Sequence, residues 1–65
     1  MAKSTELHTQ KVLAILLETE MAILIEVEGG EEIWLPLSNV HEIKDRDGDC
    51  SIVMTAWIAK QKGLL

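Results

Sequence analysis

The sequence has no phenylalanine and no tyrosine, and it has one cysteine, one proline and two tryptophans among 65 residues. Each scarcity excludes something. A single thiol, Cys50, rules out an internal disulfide, and the chain reads as cytoplasmic, held by packing rather than by covalent staples. No apolar run approaches the ~20 residues that a membrane helix needs. The opening stretch MAKSTELHTQ lacks the apolar segment of a signal peptide. Bases are also few, six against eleven acids, for a net charge of −5. Between Glu18 and Glu32 stand six acids and no base. Such a surface repels phosphate backbones and disfavours nucleic acid there. It reads as a solubilising charged tip, with a DNA-mimicking patch as the sharper alternative.

Apolar residues, by contrast, make up 48% of the chain. A chain this short is one domain, spanning 1–65, and buries only roughly 60% of its unfolded surface. Some of this apolar material is therefore expected between subunits or on an exposed binding patch.

Residues 1–9 show little periodicity and read as a mobile arm or a fraying strand start. Lys11–Glu18 is apolar on both alternations and reads as a strand, although its leucines and alanine also suit a helix starting near Ser4. Ala22–Glu28 is the clearest strand: Ile23, Ile25 and Val27 share one face, and glutamates alternate with them towards the tip. A second strand follows the Gly29-Gly30 turn.

The register of this hairpin can be argued. A two-residue Gly-Gly loop sets the two aliphatic rows on opposite faces. A three-residue loop, Glu28-Gly29-Gly30 with a left-handed Gly30, pairs Ile25 with Ile33 and Ile23 with Leu35. Cleaner burial favours the longer loop. Ile23, Ile25, Val27, Ile33, Leu35 and Leu37 then form a core face. Ala22, Leu24, Trp34 and Pro36 form a second apolar patch, the candidate partner or oligomer interface. Trp34 is expected to pack under the C-terminal helix or across a subunit boundary.

Further on, Val40–Ile43 and Ser51–Met54 read as short strands around a polar turn, Lys44–Cys50, with its corner at Asp47-Gly48. Thr55 suits a helix N-cap and Gly63 the C′ position, with the helix docking through Trp57 and Ile58.

Chemistry-bearing groups are sparse. Asp45, Asp47 and Asp49 match the first three ligand positions of a calcium loop, but Cys50 stands where the loop needs glycine and Ala56 where it needs a bidentate glutamate. His8, His41 and Cys50 have no recognised metal-ligand spacing. Cys50 beside acids is a poor nucleophile, and Ser38 lacks a nucleophile elbow. No catalytic, metal or cofactor site is expected, and the chain reads as non-enzymatic.

The run Glu31-Glu32-Ile33-Trp34-Leu35-Pro36-Leu37-Ser38 resembles a pattern in small phage, prophage and bacterial proteins. They carry an AILVE…GEE-x-W-(I/L)-P-x-S hairpin and often end in an aromatic-containing segment followed by Lys-Gly-Leu. Ala22–Ser38 and Trp57–Leu64 correspond to these two parts. The departures are the extra turn glycine and Leu37, where a lysine is common. The resemblance implies a viral or mobile-element setting and no particular activity.

The expected fold is mainly β: a small, strongly bent antiparallel sheet or a Src homology 3-like or OB-like barrel of four or five strands, with a short C-terminal helix. The alternative is α+β, with residues 4–18 helical. The expected function is a self-associating interaction module whose partner is a second copy or another protein, with no membrane involvement. The alternative is a nucleic-acid-binding barrel using Trp34 with Lys11, Lys44, Arg46, Lys60 and Lys62.

Overall fold

The computed structural model describes residues 6–65. Six strands and one helix follow in order: β1 (Leu7–Val12), β2 (Ala14–Glu18), β3 (Ala22–Val27), β4 (Glu31–Pro36), β5 (Val40–Arg46), β6 (Asp49–Thr55) and α1 (Ala56–Gln61). A single 3-10 turn, Leu37–Asn39, joins β4 to β5. The strands form two antiparallel three-stranded sheets, β1-β6-β5 and β2-β3-β4. Among the described residues, β4 pairs only with β3 and β5 only with β6, so the hydrogen-bonded ladder does not close into a barrel.

The run from Leu7 to Glu18 is a nearly continuous strand that changes sheets. Its first half pairs with β6 and its second with β3, and the break falls at Leu13. The Leu13 amide still donates to Glu26 O at 2.7 Å, so the ladder of the second sheet begins at the break itself. A strand that turns a corner between packed sheets must lose regular pleating there. The helix considered for residues 4–18 is therefore not formed over the described residues, and six strands replace the four or five expected. Of the arm expected over 1–9, residues 7–9 belong to β1 and residues 1–5 lie outside the described residues.

Within β2 a bulge lies between Ile15 and Leu17. Ile15 pairs with Ile25, and two residues later Leu17 pairs with Leu24 rather than Ile23. The extra residue inverts the alternation. Ile15 packs against the core, whereas Leu17 turns to the outer face. This accounts for a strand that is apolar on both alternations.

The β3–β4 hairpin has the bulged register: Ile25 faces Ile33, Ile23 faces Leu35, Leu24 faces Trp34 and Ala22 faces Pro36. Both turn glycines have positive φ, Gly29 at +93° and Gly30 at +83°. The Gly30 amide donates to Val27 O at 3.0 Å, so Gly29 is the third residue of a β-turn. Positive φ at that position marks a type II turn, which asks for glycine, and Gly30 then supplies the left-handed bulge. The second glycine thus has its own structural role.

The core joins both sheets to the helix. Ile23, Ile25, Val27, Ile33 and Leu35 from the second sheet meet Val12, Ile52 and Met54 from the first, with Ile58 and Ala59 of α1 packed against them. Leu37, expected on the core face of β4, sits in the 3-10 turn and packs on this cluster only partly buried. Thr55 caps α1, its Oγ1 accepting from the Ile58 amide at 3.2 Å. After the helix, Leu64 N donates to Ala59 O at 2.8 Å and Gly63 N to Lys60 O at 3.2 Å. This is a Schellman ending with Gly63 at C′, and it returns Leu64 to the core. Of the two residues expected to dock the helix, Ile58 is buried, together with Ala56 and Ala59, whereas Trp57 is 58% exposed.

The polar segment 44–50 is also mostly strand. Only Asp47-Gly48 forms the turn, and β5 and β6 extend to Arg46 and Asp49. Residues 44–49 are exposed on both faces, so no burial pattern marks them as strand; only Cys50 at the end of the segment is partly buried against the core.

Candidate functional site

The outer face of the second sheet carries the largest departure from ordinary surface chemistry. Register alone places Leu17, Leu24 and Trp34 in one row across β2, β3 and β4. Ala22 and Pro36 form the next row. Trp34 is 43% exposed and Leu17 56%. Ala22, Leu24 and Pro36 are half-buried. All four residues of the sequence-derived patch therefore lie together. The helix does not cover them: α1 packs against β6 and β1, because its apolar side, Ile58 and Ala59, faces the core. The expectation that Trp34 lies beneath α1 is corrected on this point.

One end of the patch is bounded by the β2–β3 turn. Thr19 Oγ1 accepts from the amides of Met21 and Ala22 at 3.2 and 3.0 Å, a side-chain-closed turn. The Leu37 amide donates to Met21 O at 2.8 Å, fastening this turn to the exit of β4. Met21 itself is 78% exposed, the highest value among the large apolar residues described. The other end is acidic. Glu26 pairs directly with Glu32 on the outer face. Like charges directly opposite destabilise a sheet, and no lysine or arginine occurs between residues 12 and 43. An apolar row beside a pair of facing glutamates, with no base on the same three strands, is thus the chemistry of this face.

Sequence reasoning missed Leu17 and Met21. The signal for Leu17 was the double apolarity of residues 11–18, but its facing depends on a bulge that no pattern announces. It also missed Asn39, whose Nδ2 donates to Thr55 Oγ1 at 3.1 Å. The helix cap is thereby tied to the end of the 3-10 turn leaving the second sheet.

The basic residues divide into two groups. Lys11 and Lys44 both flank Ser51, so they lie in one row on the outer face of the first sheet, and Arg46 follows two residues along β5. Glu42 shares that face. A shallow concavity along this hairpin is lined by Glu42, Ile43, Lys44, Asp45, Arg46, Asp49 and Ser51. Lys60 and Lys62 belong instead to the last turn and C-cap of α1. Trp34 lies on the other sheet from the Lys11–Lys44 row, so the fold does not assemble the tryptophan with those bases.

Asp45 is opposite Cys50, Asp47 is in the turn, and Asp49 is opposite Arg46. Among the described residues, no group of three or more His, Cys, Asp or Glu side chains is arranged to hold a metal ion. His8 Nε2 lies 2.9 Å from Gln10 Oε1 on β1. Burial raises the Cys50 pKa above its ordinary value, and the nearby Asp45 and Asp49 carboxylates raise it further. At neutral pH the thiol stays protonated, an inert group against the core. No helix among the described residues is long and apolar enough to cross a membrane.

Comparison with known proteins returned no matching family model, no matching curated protein and no matching solved structure.

Proposed function

We propose that this chain is a non-enzymatic interaction module that self-associates, using the outer face of the second sheet. The observation that carries the reading is the Leu17–Leu24–Trp34 row, which crosses all three strands of a sheet whose other face is the core, with Leu17 and Trp34 exposed on either side of a half-buried Leu24. Tryptophan flanked by aliphatics, with a charged margin, has the composition of an interface centre. The finer fold reading is an open, Src homology 3-like barrel. It is supported by the strand order β5-β6-β1/β2-β3-β4, in which β1 and β2 carry one strand path from sheet to sheet and the two outer strands, β4 and β5, are joined by the 3-10 turn. The phage-type hairpin motif favours a viral or mobile-element setting. The test is light scattering over a concentration series with wild type and Trp34→Ala. Mass should rise with concentration in the wild type and fall back in the variant. A wild type that stays monomeric removes the reading.

A second reading, nucleic-acid binding, draws on the Lys11–Ser51–Lys44 row with Arg46 beyond it. The test is titration of the protein with a single-stranded oligonucleotide at low salt. Salt-sensitive binding lost in Lys11→Ala/Lys44→Ala supports it, and no binding at low salt ends it.

A further inference from the structure

We infer that the occupant of the acidic apolar face is the helical end of a second copy, so that copies associate head to tail rather than face to face. The inference rests on the self-association reading above and specifies its geometry. It comes from charge. Two outer faces stacked with their hairpin tips aligned would oppose the Glu26–Glu32 pair of one copy to that of the other; stacked in the reversed sense they would set each pair against the apolar end of the partner face, and in neither arrangement do residues 12–43 supply a base. Like charges brought together in a contact cost affinity and select against the aligned pairing. The complementary surface is at the other end of the chain. Residues 56–65 contain two lysines and no acid. Trp57 is 58% exposed on α1 and Leu65 is exposed after it, while Lys60 lies one turn from Trp57. The helix thus offers an aromatic anchor with cations beside it, and the sheet offers an apolar row with anions beside it.

The two surfaces belong to different parts of the fold. The sheet face is built by β2, β3 and β4, whereas α1 packs on β6 and β1. Each copy can therefore use both at once, which is the condition for a heterologous contact that propagates into a ring or an open chain. A standard interface takes about 800 Å² from each partner. That is roughly a sixth of the 4669 Å² of accessible surface, so two such contacts per copy fit on the molecule.

The test is sedimentation velocity on wild type, Trp34→Ala, Trp57→Ala and an equimolar mixture of the two variants, with circular dichroism to verify folding. Each tryptophan is exposed, so each variant should fold. The wild type should form species larger than dimers, and each variant alone should weaken association by roughly 30-fold or more, as loss of a hot-spot tryptophan does. The mixture should recover a species of two chains and stop there, because one intact sheet face meets one intact helix. Charge reversal gives an independent check. Glu26→Lys/Glu32→Lys and Lys60→Glu/Lys62→Glu should each abolish assembly alone. Their mixture should restore it beyond the dimer, because both contacts become complementary again. Trp57→Ala assembling like the wild type would overturn the head-to-tail geometry while leaving self-association standing. A wild type that stays monomeric even at ~1 mM would overturn both.

Discussion

Two adjacent aliphatic side chains show how similar residues take different roles according to the face they occupy. Ile25 and Leu24 are neighbours in β3, yet Ile25 is fully buried in the core and Leu24 is half-buried on the outer face. Ile25→Ala is expected to cost about 2–5 kcal/mol, from lost transfer energy and the cavity left behind. For a 65-residue fold with roughly 3–10 kcal/mol in all, that change should unfold much of the population, as thermal denaturation would show. Trp34→Ala should lower the stability of the monomer by about 1 kcal/mol or less, because the ring makes little of the core, while still removing association. Thr55 is the most consequential polar residue: its hydroxyl oxygen accepts from the Ile58 amide and from Asn39 Nδ2. Thr55→Ala should cost about 1–2 kcal/mol, measured by urea unfolding. Cys50 should react slowly with iodoacetamide at neutral pH and faster as pH rises, because only the thiolate attacks. Removing one raising charge, as in Asp49→Asn, should move the reactivity profile to lower pH, and an unchanged profile would show that Asp49 does not act on the thiol.

Among the elements, what was legible in the sequence depended on whether burial left an uninterrupted alternation. The β3–β4 hairpin could be read to the residue because only one loop length put Ile23, Ile25, Ile33 and Leu35 on a common face. The Thr55 cap and the Gly63 ending were legible because capping is local chemistry. Residues 7–18 were not legible in the same way. The break at Leu13, where the chain changes sheets, and the bulge at Leu16 each interrupt the alternation. β5 was read too short because a strand exposed on both faces has no apolar rhythm. Of the expected docking pair, Ile58 fills the space beneath the helix together with Ala59, whereas Trp57 stays exposed. At the β3–β4 turn, nothing lies within 4 Å of where a Cβ would stand on either glycine. Gly29→Ala or Gly30→Ala should therefore cost about 1–2 kcal/mol through backbone conformation alone. The measurement is the unfolding midpoint, and a neutral effect would contradict the turn assignment.

At the scale of the whole molecule, the distribution of charge and apolar surface matters more than any one residue. The second sheet and its turns hold six glutamates and no base, while residues 56–65 hold two lysines and no acid. The composition alone suggested excess apolar surface seeking a cover. The sequence could place Trp34 off the core, but it could not show that the helix packs elsewhere, since that depends on how two sheets meet. The part left uncovered is the row Leu17–Leu24–Trp34, and the account stands on that row being an interface. The most direct measurement is a sedimentation-velocity dilution series of the wild-type chain at moderate salt. The weight-average mass should rise with concentration well above the 7.3 kDa of one chain. A mass fixed at 7.3 kDa across the series would contradict it.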